Sequence, residues 1–151
     1  MPDRPTYNLH ASLGYQLTLV ARLQARRFED SLRPLGLTRI TWCVLLAIGN
    51  EGLSQPSDIA AFVGIDRSAT SRALRHMQTA QMISRSEGTG DGRTRSVSLT
   101  DHGKGLLVRA IPLAQENSAK IEARLNPEER ALMIKLLKKL HAGEDASLDR
   151  L

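Results

Sequence analysis

From the N-terminus, Leu9, Leu13, Leu17, Val20, Ala21, Phe28 and Leu32 recur at spacings of mostly three and four, with Arg and Gln between them. That period predicts an amphipathic helix, stopped at Pro34 and Gly36. A long amphipathic helix at the start of a small chain calls for a large surface to pack on, such as a second copy of the protein. The next segment, RITWCVLLAIGN, is apolar on nearly all sides. It predicts a buried central helix, capped by Thr38 and ended by GNEG. Trp42 and Cys43 fall inside it, where ordinary core packing competes with a ligand or redox role.

Two short helices follow. In SQPSDIAAFVG, Pro56 suits the first helical position, Ile59, Ala60, Phe62 and Val63 supply a buried face, and Gly64 ends the helix. After a three-residue turn Asp66 caps RSATSRALRHMQTA, where Ala69, Ala73, Leu74 and Met77 share one face. Arg67, Ser68, Ser71, Arg72 and Arg75 fall largely on the opposite, cationic face. The pattern then changes period: MISRSE and SVSL predict two strands, and GTGDGRTR between them predicts a glycine-rich hairpin turn. Thr100 and Asp101 open a long helix that Pro112 should bend or break near its first third. The last helix has Asn126 as cap, Pro127 at the first position, acidic residues in its first turn, lysines near its end and an apolar face of Leu132, Met133, Leu136, Leu137 and Leu140.

Composition narrows the class. The chain has 151 residues, 41% of them apolar but only 3% aromatic, so one core of aliphatic side chains in packed helices is expected rather than a β-sandwich. The net charge of +5 favours a polyanionic partner. Before Lys104 all basic residues are arginines, twelve from Arg4 to Arg95. Arginine suits groove and phosphate contacts, although a GC-rich gene produces the same bias. A single cysteine excludes an internal disulfide, and with no apolar run of spanning length and no apolar leader in MPDRPTYNLH the chain reads as soluble and cytoplasmic, without membrane contact.

A short helix, a tight turn, a second helix with outward arginines and then a hairpin form the helix-turn-helix pattern with a wing. With the second helix in a major groove, the hairpin reaches the flanking minor groove or backbone, whose negative potential suits an arginine at the tip. Arg93 is that residue, with Arg95 two positions on, and Asp91 is close enough in a tight turn to hold the loop in shape. The DNA contacts expected are therefore Arg67, Ser68, Ser71, Arg72, Arg75, Asp91, Arg93 and Arg95. A solvated charged turn is the bland alternative for the tip.

These residues resemble the winged-helix multiple-antibiotic-resistance regulator (MarR) family of bacterial transcription factors. DIAAFVGIDRSATSRALRHMQTAQMISR is similar to the family's paired helices and first wing strand. DGRTRSVSLTDHGKGL resembles its signature of Asp, one residue, Arg, five residues, Leu-Thr, two residues, Gly. The likeness covers roughly residues 10 to 141. It implies that Asp91 and Arg93 stand at the wing tip, that Leu99 and Thr100 close the wing onto the core, and that Gly103 starts the following helix. Ser71 and Arg72 match a hydroxyl and an arginine facing DNA, and Leu37, Thr38 and Trp42 the opening of the core helix. Where the family usually has glycine after the second helix this chain has Gln81, so the turn either takes a left-handed conformation at about 1 kcal/mol or ends differently.

The resemblance implies a mainly α fold with a small β wing: a single domain over 1–151, with a winged helix-turn-helix lobe at about 38–100 and dimerisation helices at about 9–33 and 101–141. It also implies a homodimeric regulator, a repressor by expectation, that binds an inverted repeat and is released by a small aromatic acid-like effector. His10, Tyr15 and Trp42 are the candidate lining of an effector pocket. No cofactor, metal site or catalytic residue is expected: the four histidines are scattered and no nucleophile has a base at a useful spacing. Two rivals keep the same fold, a thiol redox sensor using Cys43 and a winged helix used for protein contacts alone.

Overall fold

The computed structural model describes residues 5–87 and 95–145, with Glu87 and Arg95 in backbone only. Helix α1 (Leu13–Leu32) passes through a 3-10 turn (Arg33–Leu35) to α2 (Arg39–Gly49), and α3 (Pro56–Val63) and α4 (Arg67–Thr79) follow. A hairpin of β1 (Ile83–Glu87) and β2 (Arg95–Leu99) leads to α5 (Asp101–Glu122) and α6 (Pro127–His141). The strands are antiparallel, in the register Ile83 with Leu99 and Arg85 with Val97. The fold is mainly helical with a small β wing, as the hydrophobic pattern predicts.

The helix starts are set by local chemistry. Thr38, Asp66, Thr100 and Asn126 are all N-caps whose side chains accept a backbone N–H three residues on, and Thr38 and Asn126 complete capping boxes. Six of the eleven residues of α2 are buried, which makes it the central helix. Leu32, Val44, Leu45, Ile59, Leu74 and Met77 join α1, α2, α3 and α4 in one core. Ile83, Val97, Leu106, Leu107 and Ala110 extend it beneath the wing and along α5. Ser84, Ser86, Ser96 and Ser98 pair across the other face of the hairpin through their hydroxyls.

Two expectations meet particular outcomes. Pro112 does not break α5, which runs on for ten residues beyond it. Pro112 and Val108, whose carbonyl loses its helical partner, are both exposed, so water takes that hydrogen bond and the penalty shrinks. Gln81 takes the left-handed conformation, φ 57°. Around it Gln81 N–H donates to the Gln78 carbonyl and Met82 N–H to the Met77 carbonyl, a Schellman ending that delivers Met82 into the core. Gln81→Gly should therefore stabilise the protein by about 1 kcal/mol or slightly less, raising the Tm by about 2–4 °C. An unchanged or lowered Tm in a calorimetric scan would show that the turn carries no strain.

Helices α1 and α6 leave apolar side chains uncovered. In α1 only Phe28 and Leu32 are buried, while Leu13, Val20 and Leu23 are exposed. No residue of α6 is buried, and Leu132, Met133, Ile134, Leu136, Leu137 and Leu140 are all exposed, Leu132 to 54%. An ion pair of 2.7 Å between Arg130 and Glu122 ties the start of α6 to the end of α5. Among the described residues no single helix is long and apolar enough to cross a membrane.

Candidate nucleic-acid interface

The turn between α3 and α4 is fixed from both ends. Gly64 closes α3 in the left-handed region at φ 78°, Ile65 is buried at 2% exposure, and the Asp66 carboxylate accepts the Ala69 N–H at 2.7 Å. The Thr70 hydroxyl, also buried, donates to the Asp66 carbonyl at 2.8 Å. With its start pinned, α4 has a definite rotation about its axis. Ala69, Thr70, Leu74 and Met77 are buried, and Arg67, Ser68, Ser71, Arg72 and Arg75 are all exposed. The structure thus brings these five sequence-predicted residues onto one accessible helix face.

Order on that face is local. An Arg72 guanidinium nitrogen donates to the Ser68 hydroxyl at 2.9 Å, one turn back. This contact limits the side chain's rotamers before any partner arrives. Arg72 also borders a cleft of about 240 Å³ with Thr38, Thr41 and His76. His76 belongs to the same exposed face. In the sequence it stood only among scattered histidines that suggest neither a metal site nor catalysis, although its place four residues after Arg72 was the available signal.

The wing is held to this unit by backbone contacts. Val97 N–H donates to the Ser54 carbonyl at 2.8 Å and Thr100 N–H to the Met82 carbonyl at 3.1 Å. The Thr100 hydroxyl donates to the Gln81 carbonyl at 2.6 Å and accepts the Gly103 N–H at 3.0 Å. One side chain thereby joins the end of α4 to the start of α5. Asp91 and Arg93 lie outside the described residues, and Arg95 begins β2.

The candidate effector residues fall in two places. His10 and Tyr15 stack on each other before and within the first turn of α1, their ring centroids 4.7 Å apart. Trp42 is 7% exposed and meets Phe28 edge-on at 6.0 Å, an ordinary aromatic core contact. Cys43 is half-buried; burial pushes its thiol up from the usual range, and the nearby Arg39 charge only partly opposes this. The thiolate is thus scarce at neutral pH. Ellman's reagent at pH 7 should react with Cys43 about tenfold more slowly than with a free cysteine, and at the free rate in denaturant. Equal rates in the folded protein would restore the redox reading.

Comparison with known proteins agrees with this geometry. The MarR family description matches residues 35–94, from the end of the 3-10 turn to the hairpin. The transcriptional repressor NicR of Pseudomonas putida is 25% identical over 138 residues, covering 91% of this chain and 87% of its own length. The fold matches Bordetella bronchiseptica BpsR, described with regulation of its DNA binding by 6-hydroxynicotinic acid, with a TM-score of 0.80 at 23% identity, over 91% of this chain and 99% of BpsR. A mutant MarR from E. coli complexed with operator DNA aligns with a TM-score of 0.78 at 24% identity, over the same shares. Helix order, pinned turn, wing and likeness converge: the chain is similar to the MarR family of winged helix-turn-helix transcription regulators, whose description it matches over its DNA-binding lobe.

Proposed function

We propose that the chain is a transcriptional repressor that binds duplex DNA as a homodimer. The observation that carries this is the division of α4, with its apolar side locked in the core and Arg67, Ser68, Ser71, Arg72 and Arg75 exposed together. Laid in a major groove, that face offers arginines to phosphates and guanine edges and hydroxyls to either. Arg93, with Asp91 shaping the tip and Arg95 at the strand start, reaches the adjacent minor groove. Residues 38–100 form the DNA-binding lobe in this reading, and 9–33 and 101–141 the dimerisation helices. NicR is a repressor, and the BpsR and MarR descriptions associate those proteins with DNA, which supports the same reading here.

Dimerisation follows from the uncovered faces. Six large apolar side chains on α6 and several on α1 need a cover, and a two-fold copy of the same faces provides it symmetrically. Two copies present two α4 helices, so the site is an inverted repeat with half-sites about 34 Å, or about 10 base pairs, apart. A small molecule, an aromatic acid by family likeness, that shifts the dimer helices alters that spacing and releases DNA. 6-Hydroxynicotinic acid, named in the regulation of DNA binding by BpsR, is an aromatic acid.

Titration of fluorescent promoter DNA from beside the protein's own gene tests this reading. Sedimentation should give twice the 16.6 kDa chain mass. Affinity should fall about 10³-fold or more between 50 and 200 mM salt, as for proteins making about six to ten phosphate contacts. A monomer at micromolar concentration, or no salt-dependent affinity, would leave a winged helix that serves protein contacts.

A further inference from the structure

Ala69, Arg72, Ala73 and His76 share one stripe of α4 at helical spacing. They form one wall of the cleft of about 240 Å³, and Thr38, Ile40 and Thr41 at the start of α2 form the other. The α2 wall is committed internally: Thr38 N–H donates to the Thr41 hydroxyl at 2.8 Å and Thr41 N–H to the Thr38 hydroxyl at 3.2 Å. Arg72 and His76 are the only ionisable lining residues, and no carboxylate borders the cleft. Of the other elements packed against α4, α3 and β1 bring no residue to it; their described ionisable groups, Asp58 and Arg85, lie off the cleft. Two further cations stand near, Arg75 next to His76 in the chain and Arg39, half-buried at the start of α2. Among the described residues no ion pair engages Arg72, Arg75 or His76.

We infer that His76 makes duplex affinity depend on pH: as the imidazolium it binds a backbone phosphate at the mouth of this cleft, beside Arg72, and as the neutral imidazole it lets that phosphate go. The inference rests on the DNA-binding reading and adds a means of regulation to it. Histidine is the side chain whose charge ordinarily changes between about pH 5 and 8. A proton on His76 has arginines beside it and no carboxylate, so only an anion from outside answers it, and duplex DNA carries one at every nucleotide. Position favours phosphate over base. Ser68, Ser71 and Arg75 lie opposite the buried side of α4, whereas His76 sits at its boundary with α2. A side chain on the flank of a helix in a groove meets the rim, where the phosphates run. The charge-assisted bond forms only with the protonated ring, so docking takes up a proton. Affinity therefore rises as pH falls and is lost as pH rises.

Titration of rhodamine-labelled promoter duplex with the full chain, at pH 6 and pH 8 and fixed salt, tests it. Affinity should be about tenfold higher at pH 6. The salt slope should be steeper there by about two, one phosphate for each copy of the chain. His76→Gln, at an exposed position, should bind equally at both pH values, and His76→Lys should keep the parent's pH 6 affinity at pH 8. His102→Gln, in the first turn of α5, should respond as the parent does. Equal affinity or equal salt slope of the parent at the two pH values would overturn the assignment. So would a response that survives in His76→Gln or vanishes in His102→Gln, or a His76→Lys variant no tighter than His76→Gln at pH 8. Absence of duplex affinity at both pH values fails the DNA-binding reading and this inference with it; affinity without a pH response fails this inference alone.

Discussion

Gly103→Ala should destabilise the protein by about 3 kcal/mol, lowering the Tm by about 6–12 °C. A Cβ at position 103 would overlap the carbonyl oxygen of Met82, a backbone atom that cannot swing aside. The same carbonyl accepts the Thr100 N–H, and the neighbouring Gln81 carbonyl accepts the Thr100 hydroxyl. Backing α5 away from β1 to make room would stretch both bonds and uncover Met82, and a stranded buried polar group adds about 1–3 kcal/mol of its own. Gly105, two residues on, provides the control. Nothing lies within 4 Å of a Cβ there, so Gly105→Ala should stabilise α5 by about 0.5–1 kcal/mol through helix propensity. Denaturant unfolding of both variants checks the pair; equal effects would mean that the close approach at Gly103 has no energetic consequence.

Arg72→Ala should weaken duplex binding by about 1–3 kcal/mol, roughly 5- to 150-fold, with folding unchanged. Its side chain is exposed and bonds only to Ser68 in the described contacts, so truncation leaves the core of α4 intact. Held by Ser68, the guanidinium is already ordered, and little further entropy is lost on docking. If Arg72 reads a base edge, the loss falls on one position of the site and specificity relaxes there. If it meets phosphate, binding weakens across all sequences and the salt slope drops by about one. Arg93→Ala should cost about as much, with relaxed preference for A/T flanks. Unchanged affinity for Arg72→Ala at fixed salt would remove α4 from the interface.

What the sequence made legible was what local chemistry decides. Thr38, Asp66, Thr100 and Asn126 announce their caps because an N-cap needs only its own side chain and the next turn. The two faces of α4 follow from helical period alone, and the exposed arginines match it residue by residue. Gln81 was legible as a departure from the family pattern, but its outcome depended on Met82 being needed in the core. Pro112 was legible as a site of helix strain, but that it does not break α5 depends on whether water reaches the orphaned carbonyl, which periodicity does not encode. Gly103 could be assigned only by likeness, since its reason is a carbonyl twenty-one residues upstream. A cleft of about 740 Å³ between the end of α2, β2 and the start of α5 was invisible for the same cause, since its walls meet only in the folded chain.

Paired copies of this chain are expected to read duplex DNA through α4 and the wing. Selection of bound duplexes from a random-sequence pool by the purified protein, followed by sequencing, tests it most directly. The pool should converge on an inverted repeat with half-site centres about 10 base pairs apart. A pool that stays random after repeated rounds, or converges on a single unrepeated site, would contradict it.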